Sequence, residues 1–231
     1  MGSSDWSYLN GGLDIATVDR GVTAGIAAAP GGDQFLFAFN SLANKQGAVA
    51  LCVNQAGFTP TAKGGSIRAC LQRGAGAGAT GFSPFLFLCG QGNSVMDQGY
   101  MLGLSDDDPH RIVLRKGSLV TGIVSSEGAG VLLHSSESFS QGCWLHVRLD
   151  CIVNANGDVV LRAYRNDLDK HPLNLPPDWE PIAGMPMFID DQLGINSGSQ
   201  PLLGGRAGFG FSVSEAIRRA FVDNVEVYRQ T

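Results

Sequence analysis

The sequence carries little charge and no surplus of positive charge: Asp, Glu, Lys and Arg make up 16% of its 231 residues, and the net charge is −5. Nucleic-acid binding needs a concentrated basic face and is not expected; Arg218 and Arg219 are an isolated basic pair. No apolar run approaches the roughly 20 residues of a spanning helix, so membrane insertion is not expected either. Residues 1–10 lack the basic and apolar regions of a signal peptide, which gives an expectation of synthesis in the cytoplasm without secretion. Cysteine is scarce and odd in number, at Cys52, Cys70, Cys89, Cys143 and Cys151. There is no C-x-x-C pair and no His at finger spacing, so no structural zinc site is expected and buried, reduced thiols are. A disulfide cannot be assigned from the spacing alone.

Catalytic constellations are missing as well. No G-x-S-x-G elbow presents a serine nucleophile. The four histidines, His110, His134, His146 and His171, have no metal-ligand spacing. Residues 74–79 match the loose pattern G-x-G-x-x-A, but a dinucleotide site needs a helix next, and the following run contains Pro84 and reads as a strand.

What the chain does contain is apolar residues, at 44%, and 32 glycines without a repeating period. Both fit many short strands separated by turns. Period-two or short apolar runs occur at residues 34–40, 48–53, 66–73, 84–89, 100–104, 110–115, 118–124 and 131–134. The clearest element is a hairpin. Residues 144–153 place Leu145, Val147 and Leu149 on one face and Trp144, His146, Arg148 and Asp150 on the other. Asn156 and Gly157 supply positive φ angles for a tight turn, and residues 159–164 return. Residues 171–186, with Pro176, Pro177, Pro181 and Pro186, read as a surface loop onto which Trp179 is tucked. Residues 207–213 and 220–228 are closing strands, with a short turn of helix at 214–218 between them. No repeat or linker interrupts the pattern, so 1–231 reads as one domain.

The stretch Gly-Cys-Trp-Leu-His-Val-Arg-Leu at 142–149, the turn at 156–158 and Val-Val-Leu-Arg-Ala-Tyr at 159–164 resemble the core hairpin of laminin-G-like sandwiches. Residues 206–211 and 219–228 are similar to the closing strand pair of the same concanavalin A-like lectin/glucanase superfamily. The resemblance covers under half of the chain. It implies an all-β, two-sheet antiparallel jelly-roll β-sandwich and no particular activity, because this fold hosts enzymes, lectins and structural modules. The superfamily's glucanases carry Glu-x-Asp-x-(x)-Glu on one strand; no such triplet is present here. The nearest approach, Asp223 and Glu226, is spaced by three, which in a regular strand puts the carboxylates on opposite faces. Asp223 reads as a hydrogen-bonding anchor of the closing strand.

The expectation is therefore a non-enzymatic structural or adhesion module of a larger assembly, set in a phage virion as a tail, fibre or capsid-surface protein. Its partners would be other virion or assembly proteins, a second copy of itself, or a cell-surface glycan. The alternative is a free glycan-binding, lectin-like protein, with a divergent glycoside hydrolase ranked last. The aromatic candidates for a sugar are Trp179, Tyr100 and Tyr164, with Trp6 a further one. No cofactor is expected. Calcium is the one weighed, with Asp106, Asp107, Asp108, Asp190 and Asp191 as its candidate ligands; solvated acidic turns are the preferred reading of those residues.

Overall fold

A computed structural model describes residues 6–9, 14–19, 34–39, 47–53, 64–73, 82–91, 98–119, 123, 125–213 and 219–229. In the first four strands only the backbone is described. The strands are β1 (Trp6–Leu9), β2 (Asp14–Asp19), β3 (Gln34–Phe39), β4 (Gly47–Val53), β5 (Gly64–Arg73), β6 (Phe82–Gly90), β7 (Gln98–Leu104) and β8 (Ile112–Ser118). They continue with β9 (Val131–His134), β10 (Trp144–Val153), β11 (Val159–Asn166), β12 (Glu180–Pro181), β13 (Phe188–Asp190), β14 (Arg206–Val213) and β15 (Arg219–Arg229). Among the described residues there is no helix.

Two antiparallel sheets result, as the resemblance implies. One runs β1-β4-β14-β6-β7-β8-β9; the other runs β12-β11-β10-β5-β15-β3-β2, with β13 also pairing β11. Their inner faces meet in one apolar cluster. Ile67, Ala69 and Leu71 of β5 and Val147, Leu149 and Cys151 of β10 face Leu86, Leu102, Leu114 and Phe209 of the opposite sheet. Each valine, leucine, isoleucine or phenylalanine among them contributes roughly 1.5–3 kcal/mol by leaving water. The β10–β11 hairpin alternates as the sequence predicts, with Leu145, Val147 and Leu149 inward.

Several expectations need correcting. The turn between β10 and β11 is not a two-residue turn. Only Gly157 has positive φ, at 84°, and the Asn154 side chain accepts hydrogen bonds from the backbone N–H of Asn156 and Asp158. Of residues 118–124, read as a strand, Ser118 ends β8, Leu119 and Ile123 stand outside any strand, and the other four lie outside the described residues. Leu119 and Ile123 are fully buried against Phe85, Phe87, Met101 and Val113, and so cover the outer face of the seven-stranded sheet. The proline-rich loop contains a two-residue strand, β12, and is anchored by buried Ile182 and Met185. The stretches read as a helical turn (214–218) and as a glycine loop (74–79) lie outside the described residues.

On that outer face Gly103 pairs with Phe85 across β7 and β6. A Cβ there would meet the Pro84 carbonyl oxygen and lie 2.7 Å from Phe85 Cα, both backbone atoms that cannot swing aside. Gly103→Ala is expected to cost about 1–3 kcal/mol through overpacking. Urea unfolding checks this, since the midpoint should fall while the slope stays the same; an unchanged midpoint would mean that β6 shifts freely.

Candidate functional site

The outer face of the eight-stranded sheet is polar, and its order follows from strand register. Residues directly opposite in antiparallel strands point to the same side. One row therefore reads Tyr164, Arg148, Arg68, Glu226 across β11, β10, β5 and β15. The row on one side of it is Arg162, Asp150, Ser66, Tyr228; the row on the other is Asn166, His146, Cys70, Asp223.

β15 reaches this arrangement through a bulge between Asp223 and Glu226, where Asn224 has φ 53°. The extra residue resets the alternation. Val222 and Val225 both face the core, so Asp223 and Glu226 share the outer face. The opposite-face expectation from their spacing is thereby corrected. Asp223 also acts as an anchor, accepting the Asn224 backbone N–H at 2.8 Å.

Ion pairs tie the rows together. Arg148 grips Asp150 with two hydrogen bonds of 2.7 Å, and Ser66 donates to the same carboxylate at 2.6 Å. Arg68 Nη2 donates to Glu226 at 2.7 Å, Tyr228 donates to Glu226 as well, and the Arg68 guanidinium lies 5.0 Å from the Tyr228 ring centre. Burial pushes the Glu226 pKa up, but hydrogen bonds from Arg68 and Tyr228 outweigh it and hold the carboxyl below its ordinary value.

His146 is 2% exposed, and its protonation can be argued from its neighbours. The Asn166 side-chain oxygen accepts from the Asp178 N–H, which fixes the amide and makes Nδ2 the donor. That nitrogen donates to the His171 carbonyl at 2.8 Å and contacts His146 Nδ1 at 3.2 Å. His146 Nδ1 is thus the acceptor and Nε2 carries the hydrogen. Burial, then repulsion from Arg68, lowers the His146 pKa to about 4, so the ring is neutral. His146 Nε2 is buried and has no hydrogen-bond partner among the described residues, and neither has Arg68 Nε. An unpaired buried donor is costly in a native protein and calls for an explanation.

The residues Arg68 and His146 both line one pocket. Arg68, His146, Asn166, Asn224 and Glu226 form its polar part, and Leu173, Leu175 and Pro177 of the proline-rich loop form an apolar wall. Its cavity volume is about 30 Å³. That is room for a water or a single hydroxyl and far below the roughly 300–1,000 Å³ of drug-sized clefts.

Of the aromatic candidates, two come to this face. Trp179 is half-buried, its ring 4.6 Å from His146 and 6.0 Å from the Arg148 guanidinium; Tyr164 lies 5.4 Å from that same guanidinium. Tyr100 is elsewhere. It is fully buried in the core, donates to Asp190 and accepts the Leu202 N–H at 2.9 Å, so no ring face is open to a sugar. Trp6 belongs to β1, where the side chain is not described.

Four of the five calcium candidates have protein partners. Asp106 pairs with Arg73, and Asp107 accepts from Ser125 and Ser126. Asp190 pairs with Lys116, Asp191 caps the backbone N–H groups of Leu193, Ile195 and Asn196, and Asp108 is exposed. Among the described residues no group of three or more His, Cys, Asp or Glu is gathered to hold a metal.

Sequence reasoning placed His146 and Arg148 on the right face and set Glu226 aside on its spacing from Asp223, but missed Arg68, Asn166 and Asn224. Only register across some 80 to 160 residues of chain unites them, as in the Arg68–Arg148 and Arg68–Glu226 pairs.

No family model matches the sequence, and no curated protein matches it. Solved structures do share the fold. The carbohydrate recognition domain of Emp46p, in metal-free form, is 11% identical over 97% of this chain and 88% of its own, with a TM-score of 0.53. The exoplasmic/lumenal domain of VIP36, in its Ca2+- and Man2-bound form, is 10% identical over 100% and 84%, with a TM-score of 0.55. A marine PL-14 alginate lyase from Aplysia kurodai is 11% identical over 94% and 87%, with a TM-score of 0.51. At these identities the likeness concerns architecture alone: the chain has the two-sheet antiparallel, concanavalin A-like sandwich fold.

Proposed function

We propose that this chain is a glycan-binding, lectin-like protein that engages a sugar at the polar recess on the outer face of the eight-stranded sheet. The carrying observation is the polar recess lined by Arg68, His146, Asn166, Asn224 and Glu226, where His146 Nε2 and Arg68 Nε have no hydrogen-bond partner among the described residues. A sugar hydroxyl suits such a recess, since its oxygen accepts from an N–H donor while its hydrogen can be given to Glu226. The C–H groups of the same sugar suit the wall of Leu173, Leu175 and Pro177. The sandwich fold adds support, because two proteins that share it are a carbohydrate recognition domain and a domain bound to Man2.

Binding is favoured over turnover by the state of the titratable groups. General-acid cleavage of a glycoside needs a carboxyl that stays protonated near neutrality. Glu226 is held in its ionised form by Arg68 and Tyr228. The assembly-module reading, with its virion setting, draws no support from these relatives and rests on the sequence expectation alone.

The test is a glycan-array screen followed by calorimetry on the full chain. His146→Phe keeps a ring against Trp179 and removes the N–H donor. Saturable binding to a defined glycan should weaken tenfold or more in this variant, the order expected for one buried hydrogen bond. Silence across a broad array, or unchanged affinity in a folded His146→Phe protein, would overturn the proposal. Release of new chain ends from a polysaccharide would replace it with an enzymatic one.

A further inference from the structure

Cys89 and Cys151 come from different sheets, yet their sulfur atoms lie 3.2 Å apart in the core. Strand alternation does not bring them together. On β6, Leu86 and Leu88 face the core while Phe85 and Phe87 face the opposite side, so Cys89 should point outward with the phenylalanines. It does not, because its backbone adopts φ 55°, a conformation that residues other than glycine rarely take. The left-handed turn swings the side chain into the core cluster, where it is 6% exposed and meets fully buried Cys151.

The surroundings hold this local conformation. Gln91 donates its side-chain amide to the carbonyls of Cys89 and Gly204, and the Gly205 position leaves no room for a Cβ against Cys89 and Gly90. The pairing of β14 with β6 shifts register at the same place, between Arg206 and Gly208. Strain of this kind persists where the neighbouring structure enforces it, and it is a pointer to function.

We propose that Cys89 and Cys151 form a disulfide that joins the two sheets. The oxidant is a small-molecule disulfide. One cysteine thiolate attacks a sulfur of that disulfide, which releases one small thiol and leaves a mixed disulfide on the protein. The other cysteine thiolate attacks the protein-bound sulfur, which forms the Cys89–Cys151 bond and releases the second small thiol. Two protein thiols are oxidised and one small disulfide is reduced to two thiols. A shift of about 1 Å from the present separation reaches bonding distance. Both sulfurs are shielded in the closed sandwich, so exchange takes place as the sheets come together during folding. The pairing contradicts the sequence expectation that these cysteines remain reduced thiols, and it leaves Cys70 and Cys143 free.

The sequence makes the test direct, because trypsin places each of the five cysteines on its own peptide. The full chain is equilibrated with reduced and oxidised glutathione in moderate denaturant, where it opens and recloses. Free thiols are then blocked with N-ethylmaleimide and the protein is digested without reduction. Peptides 74–111 and 149–162 should appear as one species, lighter than their sum by two hydrogens. The melting temperature should rise by about 5–15 °C over the reduced protein, the range for bridging a loop of this length in a chain of this size. Neither Cys89→Ser nor Cys151→Ser should show the rise. Recovery of the two peptides apart, each carrying maleimide, or joined to a different cysteine, would overturn the proposal.

Discussion

Asp190→Asn is expected to destabilise the protein by roughly 3–5 kcal/mol, the cost of leaving a buried charge without its partner. Lys116 Nζ lies 2.7 Å from Asp190 Oδ2, and the two side chains are 3% and 0% exposed. The ammonium also donates to Ser197 Oγ at 2.9 Å and to the carbonyls of Ser199 and Gln200 at 2.9 and 2.7 Å. Asp190 in turn accepts from Tyr100 and, at 2.5 Å, from Ser197. Burial and then the hydrogen bond to Asp190 push the Tyr100 pKa well up, so its hydroxyl remains a donor. The network pins residues 190–202 onto β7 and β8 by side chains alone. Asparagine can replace some of the acceptors but not the charge, and Lys116 cannot reach water without opening that segment. Denaturant unfolding should show the loss. The double variant Lys116→Met with Asp190→Leu should recover most of it, because an apolar pair of similar size leaves no ion unpaired. A loss below 1 kcal/mol in Asp190→Asn would mean that the segment opens to solvent easily.

This network was invisible in the sequence for a reason that applies to the pocket as well. Asp190 drew notice as half of an acidic pair, and Tyr100 as an aromatic free to stack on sugar. Neither reading could know that β7, β8 and the 190–202 segment converge. By contrast, the hairpin of β10 and β11 was legible because period-two alternation and a turn signal are local properties. Local signals also misled where the backbone departs from regular geometry. The bulge at Asn224 brings Glu226 onto the face of Asp223, and the left-handed Cys89 turns inward against the alternation of β6. Each change of face follows from a single φ angle that composition does not encode. Leu119 and Ile123, read as part of a strand, stand outside one for a different reason. A short apolar stretch that covers a sheet carries the same pattern as a strand within one, and only tertiary placement distinguishes them. Leu119 and Ile123 show the former.

Acidification from pH 7 to pH 4 is expected to remove roughly 3 kcal/mol of stability through His146 alone. The pKa of the folded state, about 4, lies below the ordinary histidine value of 6.5. Between these two values the unfolded chain takes up a proton that the folded protein refuses. Stability therefore falls as the pH drops through that window, and this group adds no further loss below it. The groups facing the ring account for the direction. Burial between the sheet and Trp179 disfavours the cation, Arg68 repels it, and Glu226 opposes them only in part. Glu226 has its own linkage of the same sign, with stability lost as the pH falls through its depressed pKa, but that loss begins lower, near the ordinary carboxylate range. His146→Gln removes the titration while keeping a polar side chain in place. Urea midpoints at pH 7, 5.5 and 4.5 should decline less steeply in the variant than in the native chain, and parallel curves would show that the imidazole is not held neutral by the fold. The same neutrality bears on binding: His146 Nε2–H remains a donor throughout the range above pH 5, so glycan affinity should be flat from pH 5.5 to 8 while stability is not. A binding curve that tracked the ordinary histidine pKa would instead place a charged imidazole in the pocket and reverse the tautomer argument built on Asn166.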